Sequence, residues 1–410
     1  MRLIFQLVFV FLTFSAALLS QDREILTIDE AVRLAIDNNP ELRILRYEQQ
    51  KYDGAVTLAG TIPNPEIAFY RESLSGNRIS FSEWTISGNV PLNFLWERWS
   101  GIETAHANSE AAKKLSERRL SEIVVAVKSA FVRYHYKKQI LEKQEKSLKL
   151  LAEIQKSALA RTEEGDISGY DQQRIQLEYL MYKRKETESK TELQNARKEL
   201  MLLMMPKEAA PPSQTGFVPI EFTRTANLQS LIEYAKENRP DVQAANYYQQ
   251  SRSAQISHKQ LKIIPEITLT LGYKSQSDNL KGAVVGFGMG IPFFDRKQAE
   301  LTIAEAELQK AHTEVQSKKQ SVELEILNTY TNLVSYAEQL EEVRAFTSQS
   351  TENLIQSAEY AYLEGEMSLV ELLDALRAYT EAILLQHELS IQFHINYFQF
   401  ELAIGKEIQQ

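Results

Sequence analysis

Two segments of this chain repeat each other across 200 residues: LAIDNNPEL at Leu34–Leu42 and YAKENRPDV at Tyr234–Val242. Ala35 answers Ala235, Asn38 answers Asn238, and Pro40 answers Pro240. The offset holds through most of both halves, so any fold must be built from two similar staves. Each copy opens with an amphipathic helix, capped in the first by Thr27 ahead of Asp29 and Glu30, and punctuated by proline, which pushes the preceding residue out of the helical region. A further helical stretch leads to IPNPEIAFY at Ile62–Tyr70 and IIPEITLTL at Ile263–Leu271, where Pro65, Glu66 and Ile67 fall on Pro265, Glu266 and Ile267.

There the apolar period changes from helical to two. Trp84, Ile86, Gly88 and Val90 share one parity, against Glu83, Thr85, Ser87 and Asn89. In the second copy Ala283, Val285, Phe287, Met289 and Ile291 alternate with Val284, Gly286, Gly288 and Gly290, and Ile267, Leu269, Leu271 and Tyr273 alternate with Thr268, Thr270, Gly272 and Lys274. One hairpin per half is expected, with turns near Ser73–Asn77 and Ser275–Asn279, each ending in an apolar residue and proline.

Long stretches follow, roughly Ile102–Glu164 and Lys297–Glu364, each able to run on the order of 90 Å as helix. Leu120, Val124, Val127, Phe131, Tyr134, Leu141, Leu148 and Leu151 step along the first as a coiled-coil seam. Only 15 Gly and 11 Pro interrupt 410 residues, which suits such helices. Both break 200 residues apart, at EEGDIS and LEGEMS, with Gly165 and Gly365 as turn residues before Ser168 and Ser368. A second long helix returns in each half.

The organisation read from this is a signal peptide at 1–20, a first repeat at 21–205, a linker at 206–226 and a second repeat at 227–410. Arg2 followed by the apolar run Leu3–Leu19 and a polar start is an export signal, cleaved near Ser20; a single membrane anchor is the competing reading. No later stretch is long and apolar enough to cross a bilayer as a helix. Any crossing must use strands. Four strands cannot close a barrel, whereas three chains would supply twelve. The net charge of −9 argues against nucleic acid. The absence of cysteine excludes disulfides, thiolate metal sites, a cysteine nucleophile and a lipidated N-terminal Cys. Six His stand singly with no pair at metal-ligand spacing, so neither a catalytic centre, nor a metal site, nor a cofactor is expected. The glycines of GFGMG at Gly286–Gly290 lie inside a strand and open no helix, unlike a phosphate loop.

LTIDEAVRLAIDNNPEL at Leu26–Leu42, the RPDV echo at Arg239, the proline-bounded hairpins and YLEGEMSLVELLDALRAY at Tyr362–Tyr379 resemble the TolC-like outer-membrane efflux proteins, of the heavy-metal and multidrug type, over nearly the whole mature chain. The resemblance implies an α+β membrane protein with internal duplication. On the same resemblance it would be a homotrimer whose four strands per chain build a 12-stranded transmembrane β-barrel in outer-membrane lipid, continued by a long α-helical coiled-coil barrel in the periplasm. Its function would be a passive, non-enzymatic duct of a tripartite efflux system, fed by an inner-membrane pump through a periplasmic adaptor. A type I protein-secretion duct fits the same pattern, and a periplasmic coiled-coil adaptor without a pore is a reading of another class that would not need two apolar-faced hairpins. On the resemblance, the turns at Gly165, Ser168, Gly365 and Ser368 form the adaptor-docking tip. Glu371 and Asp374, three apart on one helix face, then line the periplasmic gate, with Glu at the first position where the family more usually has Asp. Two solvated carboxylates on a polar face are the competing reading of that pair. The strand parity itself assigns Trp84, Ile86, Val285, Phe287 and Met289 to lipid.

Overall fold

A computed structural model describes residues 25–76, 79–163, 168–205, 214–224, 227–347 and 351–407. The expected signal peptide at 1–20 and the tip residue Gly165 lie outside the described residues. The element order is β1 (Ile25–Thr27), α1 (Ile28–Asn38), α2 (Pro40–Gly60), β2 (Glu66–Gly76), β3 (Ile79–Pro91), α3 (Phe94–Glu163), α4 (Gly169–Met204), β4 (Gln214–Gly216), α5 (Leu228–Asn238), α6 (Pro240–Leu261), β5 (Ile267–Gln276), β6 (Lys281–Met289), α7 (Gln298–Thr347), α8 (Thr351–Leu363) and α9 (Leu369–Ile404).

The duplicated helix–proline junction has the same atomic construction in both copies. Asn38 Nδ2 donates to the Leu34 carbonyl at 3.0 Å, and Asn238 Nδ2 donates to the Tyr234 carbonyl at 3.0 Å. The next residue closes the first helix in each case, Asn39 N–H on Ala35 and Arg239 N–H on Ala235. Proline then starts the following helix, where its missing N–H costs nothing. The copies differ in how the new helix is capped. Asn39 Oδ1 accepts from Glu41 N at 2.8 Å, whereas Arg239 grips Asp241 through two bonds of 2.8 and 2.7 Å, both side chains buried. Burial alone would raise the Asp241 pKa, but the Arg239 bonds and charge, with Arg118 and Lys318 nearby, hold it below the usual carboxylate value.

The chain forms two compact units, and each draws segments from both repeats. One comprises Arg43–Arg119 and Ser230–Leu324 and holds the strands of both hairpins. They make one antiparallel sheet in the order β2-β3-β5-β6, with β3 and β5 joining the hairpins. That seam is tight at Gly272: a Cβ there would stand 2.6 Å from the Ile86 carbonyl oxygen and 2.9 Å from Ser87 Cβ, so only glycine fits. In the same unit α2 packs on α3 through Gln49 and Ser109, α3 on α6 through Ser100 and His258, and α6 on α7 through Lys259 and Glu300.

The other unit comprises the described parts of Met1–Leu42, Leu120–Gln229 and Glu325–Gln410. Its core joins Leu151, Ile154 and Ala158 of α3, Ile175 and Tyr182 of α4, Ile355, Ala358 and Tyr362 of α8, and Leu369, Leu372, Leu373 and Leu376 of α9. Val127, Phe131, Tyr134 and Leu151 of the expected seam are buried, while Leu120 is exposed. Two features differ from the sequence expectation. First, α3 begins at Phe94, because Gly101 continues the helix instead of starting it; the His258 ring sits 3.5 Å from where a Gly101 Cβ would be. Second, the segment expected as linker carries β4, which pairs in parallel with β1 from Ile25↔Gln214 to Thr27↔Gly216.

Candidate functional site

The sheet has two chemically distinct faces. Antiparallel partners project to the same side, so the register assigns each residue directly. One row sets Ile67, Gly88, Leu271 and Val285 side by side, and the next sets Phe69, Ile86, Tyr273 and Ala283. Trp84, Val90, Leu269, Phe287, Ile267 and Met289 extend this face. All five sequence-assigned strand residues therefore lie on it, and they are open: Trp84 is 38% exposed, Ile86 45%, Val285 65%, Phe287 73% and Met289 58%. Towards the hairpin turns the face ends in three rings, Phe69, Trp84 and Tyr273, with centroids 6.3 and 5.8 Å apart, and in the adjoining row of Arg71 and Lys281.

The opposite face is polar. Glu83 accepts from Lys274 Nζ at 2.7 Å and from Gln276 Nε2 at 3.0 Å, and Thr270 Oγ1 donates to Asn89 Oδ1 at 2.8 Å. Glu66 and Glu72 share this side. Alternation placed Glu83 and Lys274 on the same parity, but only the β3–β5 register shows that they pair across the seam between hairpins.

The turn residues belong to the other unit. Gly365 has φ of 78°, and the chain closes α8 by Gly365 N–H on Tyr362 and Glu366 N–H on Ala361. Such a left-handed φ favours glycine. Ser368 then caps α9: its Oγ accepts from the Glu371 N–H, while the Glu371 carboxylate accepts from Ser368 N at 2.8 Å and Oγ at 2.7 Å. These bonds from Ser368 hold the Glu371 pKa below the usual carboxylate value. Ser168 caps α4: its Oγ accepts from the Asp171 N–H at 3.2 Å and donates to Asp171 Oδ2 at 2.7 Å. The capping-box spacing of Ser368 and Glu371 was visible in the sequence, where the gate reading of Glu371 eclipsed it. Glu371 and Asp374 both lie on the exposed side of α9, opposite buried Leu372, Leu373 and Leu376. Asp374 has a counter-ion at 3.7 Å in Arg377, which also binds Glu178 of α4.

Three of the six histidines converge, which their sequence positions did not reveal. Tyr136 stacks against His387 and His394 at 5.8 and 5.7 Å, and Phe217, just after β4, packs on His135 and His394 at 5.3 and 5.0 Å. His394 Nδ1 donates to the Ser390 carbonyl at 2.6 Å, leaving Nε2 to accept from the Ile220 N–H at 3.3 Å. Burial pushes the pKa of each of these three rings down to about 4. They pin the strap that follows β4 onto α3 and α9. Among the described residues no group of His, Asp and Glu could hold a metal ion, and no helix is long and apolar enough to cross a membrane.

Residues 231–406 match the family model described as outer membrane efflux protein. The second half of the chain is thus similar to the outer membrane efflux proteins. It is 23% identical to the cobalt-zinc-cadmium resistance protein CzcC of Cupriavidus metallidurans, over 87% of this chain and 84% of that protein. It is 29% identical to the probable outer membrane lipoprotein SilC of Salmonella typhimurium over 41% of this chain and 39% of that one. Among solved structures, a membrane protein from Pseudomonas aeruginosa superposes with a TM-score of 0.79 at 19% identity, covering 92% of this chain and 93% of that chain. The CmeC outer membrane channel of Campylobacter jejuni gives 0.76 at 14% identity, covering 92% and 85%. At these identities the likeness to solved structures speaks for the fold, which this chain shares along almost its whole length.

Proposed function

We propose that this chain is an outer membrane efflux protein and one third of an outer-membrane duct, passively exporting substrates that an inner-membrane pump and a periplasmic adaptor deliver to it. The observation that carries this reading is the sheet: four strands, one continuous apolar face, one polar face, and two outer strands, β2 and β6, each paired on one side only among the described residues. Five rows, counted inclusively, run from Trp84 to Met289 on the apolar face. Four intervals of about 6.8 Å give roughly 27 Å along the strands, or on the order of 20 Å across a bilayer after a tilt near 40°. That approaches the apolar band of a membrane barrel, and the rings of Phe69, Trp84 and Tyr273, in two adjoining rows, resemble its aromatic girdle. Three copies give twelve strands, closing the barrel with Glu66, Glu72, Glu83 and Lys274 towards the lumen. In this arrangement Trp84, Ile86, Val285, Phe287 and Met289 face lipid, Ser168, Ser368 and the two Gly turns meet the adaptor, and Glu371 with Asp374 line the periplasmic constriction.

The lumen then carries more carboxylates than ammonium groups, which favours cations. Together with a relative named for cobalt, zinc and cadmium resistance, this makes heavy-metal cations the favoured cargo. Mass measurement of the protein extracted from outer membranes tests the assembly: three copies in one detergent-bound particle are expected. A monomer that stays dispersed without detergent overturns it.

A further inference from the structure

In the strand-bearing unit the helices follow the same order as the strands, and each sequence has two open ends. α2 touches α3 through Gln49 and Asp53, which both bond Ser109, and through Gly60, which lies beside Ile102. At 100° per residue, Tyr47 and Leu58 point away from that contact, with Ile44 close to them. All three are largely exposed, Leu58 at 74%. Beyond the helix end Ile62 is also exposed. At the opposite end, the segment after β6 exposes Ile291, Phe293 and Phe294, the last at 91%, with the two phenyl rings 5.1 Å apart. A chain with apolar surface at both ends of one strand-and-helix row is suited to head-to-tail repetition of itself.

The strand ends set the register of that repetition. β2 starts at Glu66, opposite Asn89, although β3 continues two residues further to Pro91. On the far side of the sheet Thr270 is opposite Gly286, although β6 continues to Met289. The lower border of the sheet thus descends by about one residue per strand from β2 to β6. One further step places a neighbour's Glu66 beside Gly290, and counting down from there brings its Ile62 to the level of Phe294. We infer that Phe293 and Phe294 of one copy form an aromatic latch against Ile62 and Leu58 of the next, just beneath the barrel, and that this contact fixes the order in which copies close. The inference rests on the duct reading for the existence of the assembly, and adds which surfaces meet.

The chain has no cysteine, so engineered pairs report without background. Ile62→Cys and Phe294→Cys are introduced together and singly, and outer-membrane protein is oxidised before denaturing electrophoresis. The double variant is expected to give covalent dimers and trimers, and each single variant none. Phe293→Asp with Phe294→Asp is expected to shift the particle towards monomer at least tenfold in dilution, while a monomer-sized protein retaining its helical circular dichroism shows that the chain still folds. A trimer by mass that yields no Ile62–Phe294 cross-link, or cross-links equally in the single Phe294→Cys variant, overturns the latch and leaves the duct standing. A native protein that is not oligomeric overturns both.

Discussion

His394 carries a hydrogen bond only its neutral ring can make, since Nδ1 is committed to Ser390 and Nε2 must accept from Ile220. Burial, and after it nearby positive charge, oppose its protonation and outweigh the Ser390 carbonyl, which favours it. Phe217, Phe393 and Tyr136 pack on the ring, Arg344 on α7 and His135 on α3 add positive charge, and Lys138 and Lys143 raise the cost further at the neighbouring His135 and His387. With folded pKa values near 4 against an unfolded value near 6.5, the unfolded chain takes up protons first as pH falls. Stability is therefore level in this respect above pH 6.5, and is lost between about 6.5 and 4 by about 1.4 kcal/mol per pH unit for each ring. His394→Leu orphans the Ile220 N–H, at a cost of about 1–3 kcal/mol at neutral pH. It is also expected to reduce the acid-dependent part by about a third, one ring of three. Thermal melts from pH 7.5 to 4 read both, and an unchanged acid slope would contradict the burial account. Glu371 offers a second test at this scale. Glu371→Gln keeps a carbonyl oxygen for Ser368 while removing the charge, so it should leave stability nearly unchanged and weaken block by a multivalent cation applied from the periplasmic side. Ser368→Ala should do the reverse, costing about 1 kcal/mol through the lost cap and leaving the block in place. If the two variants exchange these phenotypes, Glu371 is only a cap.

The hairpins are the elements on which sequence and structure meet most closely. Placing Arg at Val285 sets a charge on the apolar face near mid-height and is expected to cost about 2–4 kcal/mol, whereas Arg at Val284, opposite Gly272 on the polar face, should be tolerated. Urea unfolding in lipid vesicles measures both, and equal costs would contradict the facing. This parity was legible because a period of two survives in any strand with one apolar side. The helix–proline junctions were legible too, since Asn38 and Asn238 make the same bond in each copy. What escaped had weaker or non-local signals. β4 is three residues in a proline-rich stretch, too short for any period, and is held as a strand only by pairing with β1. His135 meets His394 around Phe217 through a contact spanning more than half the chain, which no spacing rule reaches. The start of α3 was missed because Gly101 suggests a boundary, whereas the helix runs through it from Phe94.

Taken whole, the molecule consists of two compact units, each drawing on both repeats, and only one of them bears the hairpin sheet. The duplication therefore serves assembly more than independent folding. Each repeat contributes one hairpin, and β3 with β5 joins them into a four-stranded sheet whose outer strands are paired on one side only among the described residues. A sheet with an apolar face and open edges is an aggregation hazard unless other copies and lipid cover it, and closure into a barrel removes both edges. The central claim is that three chains make one conducting pore. Its most direct test is single-channel recording across a planar bilayer, using a detergent-purified fraction whose mass corresponds to three copies. The account predicts unitary, cation-preferring conductance steps from that fraction, reduced by a multivalent cation on the periplasmic side. A fraction of verified trimers that inserts and gives no steps, or steps that prefer anions, would contradict it.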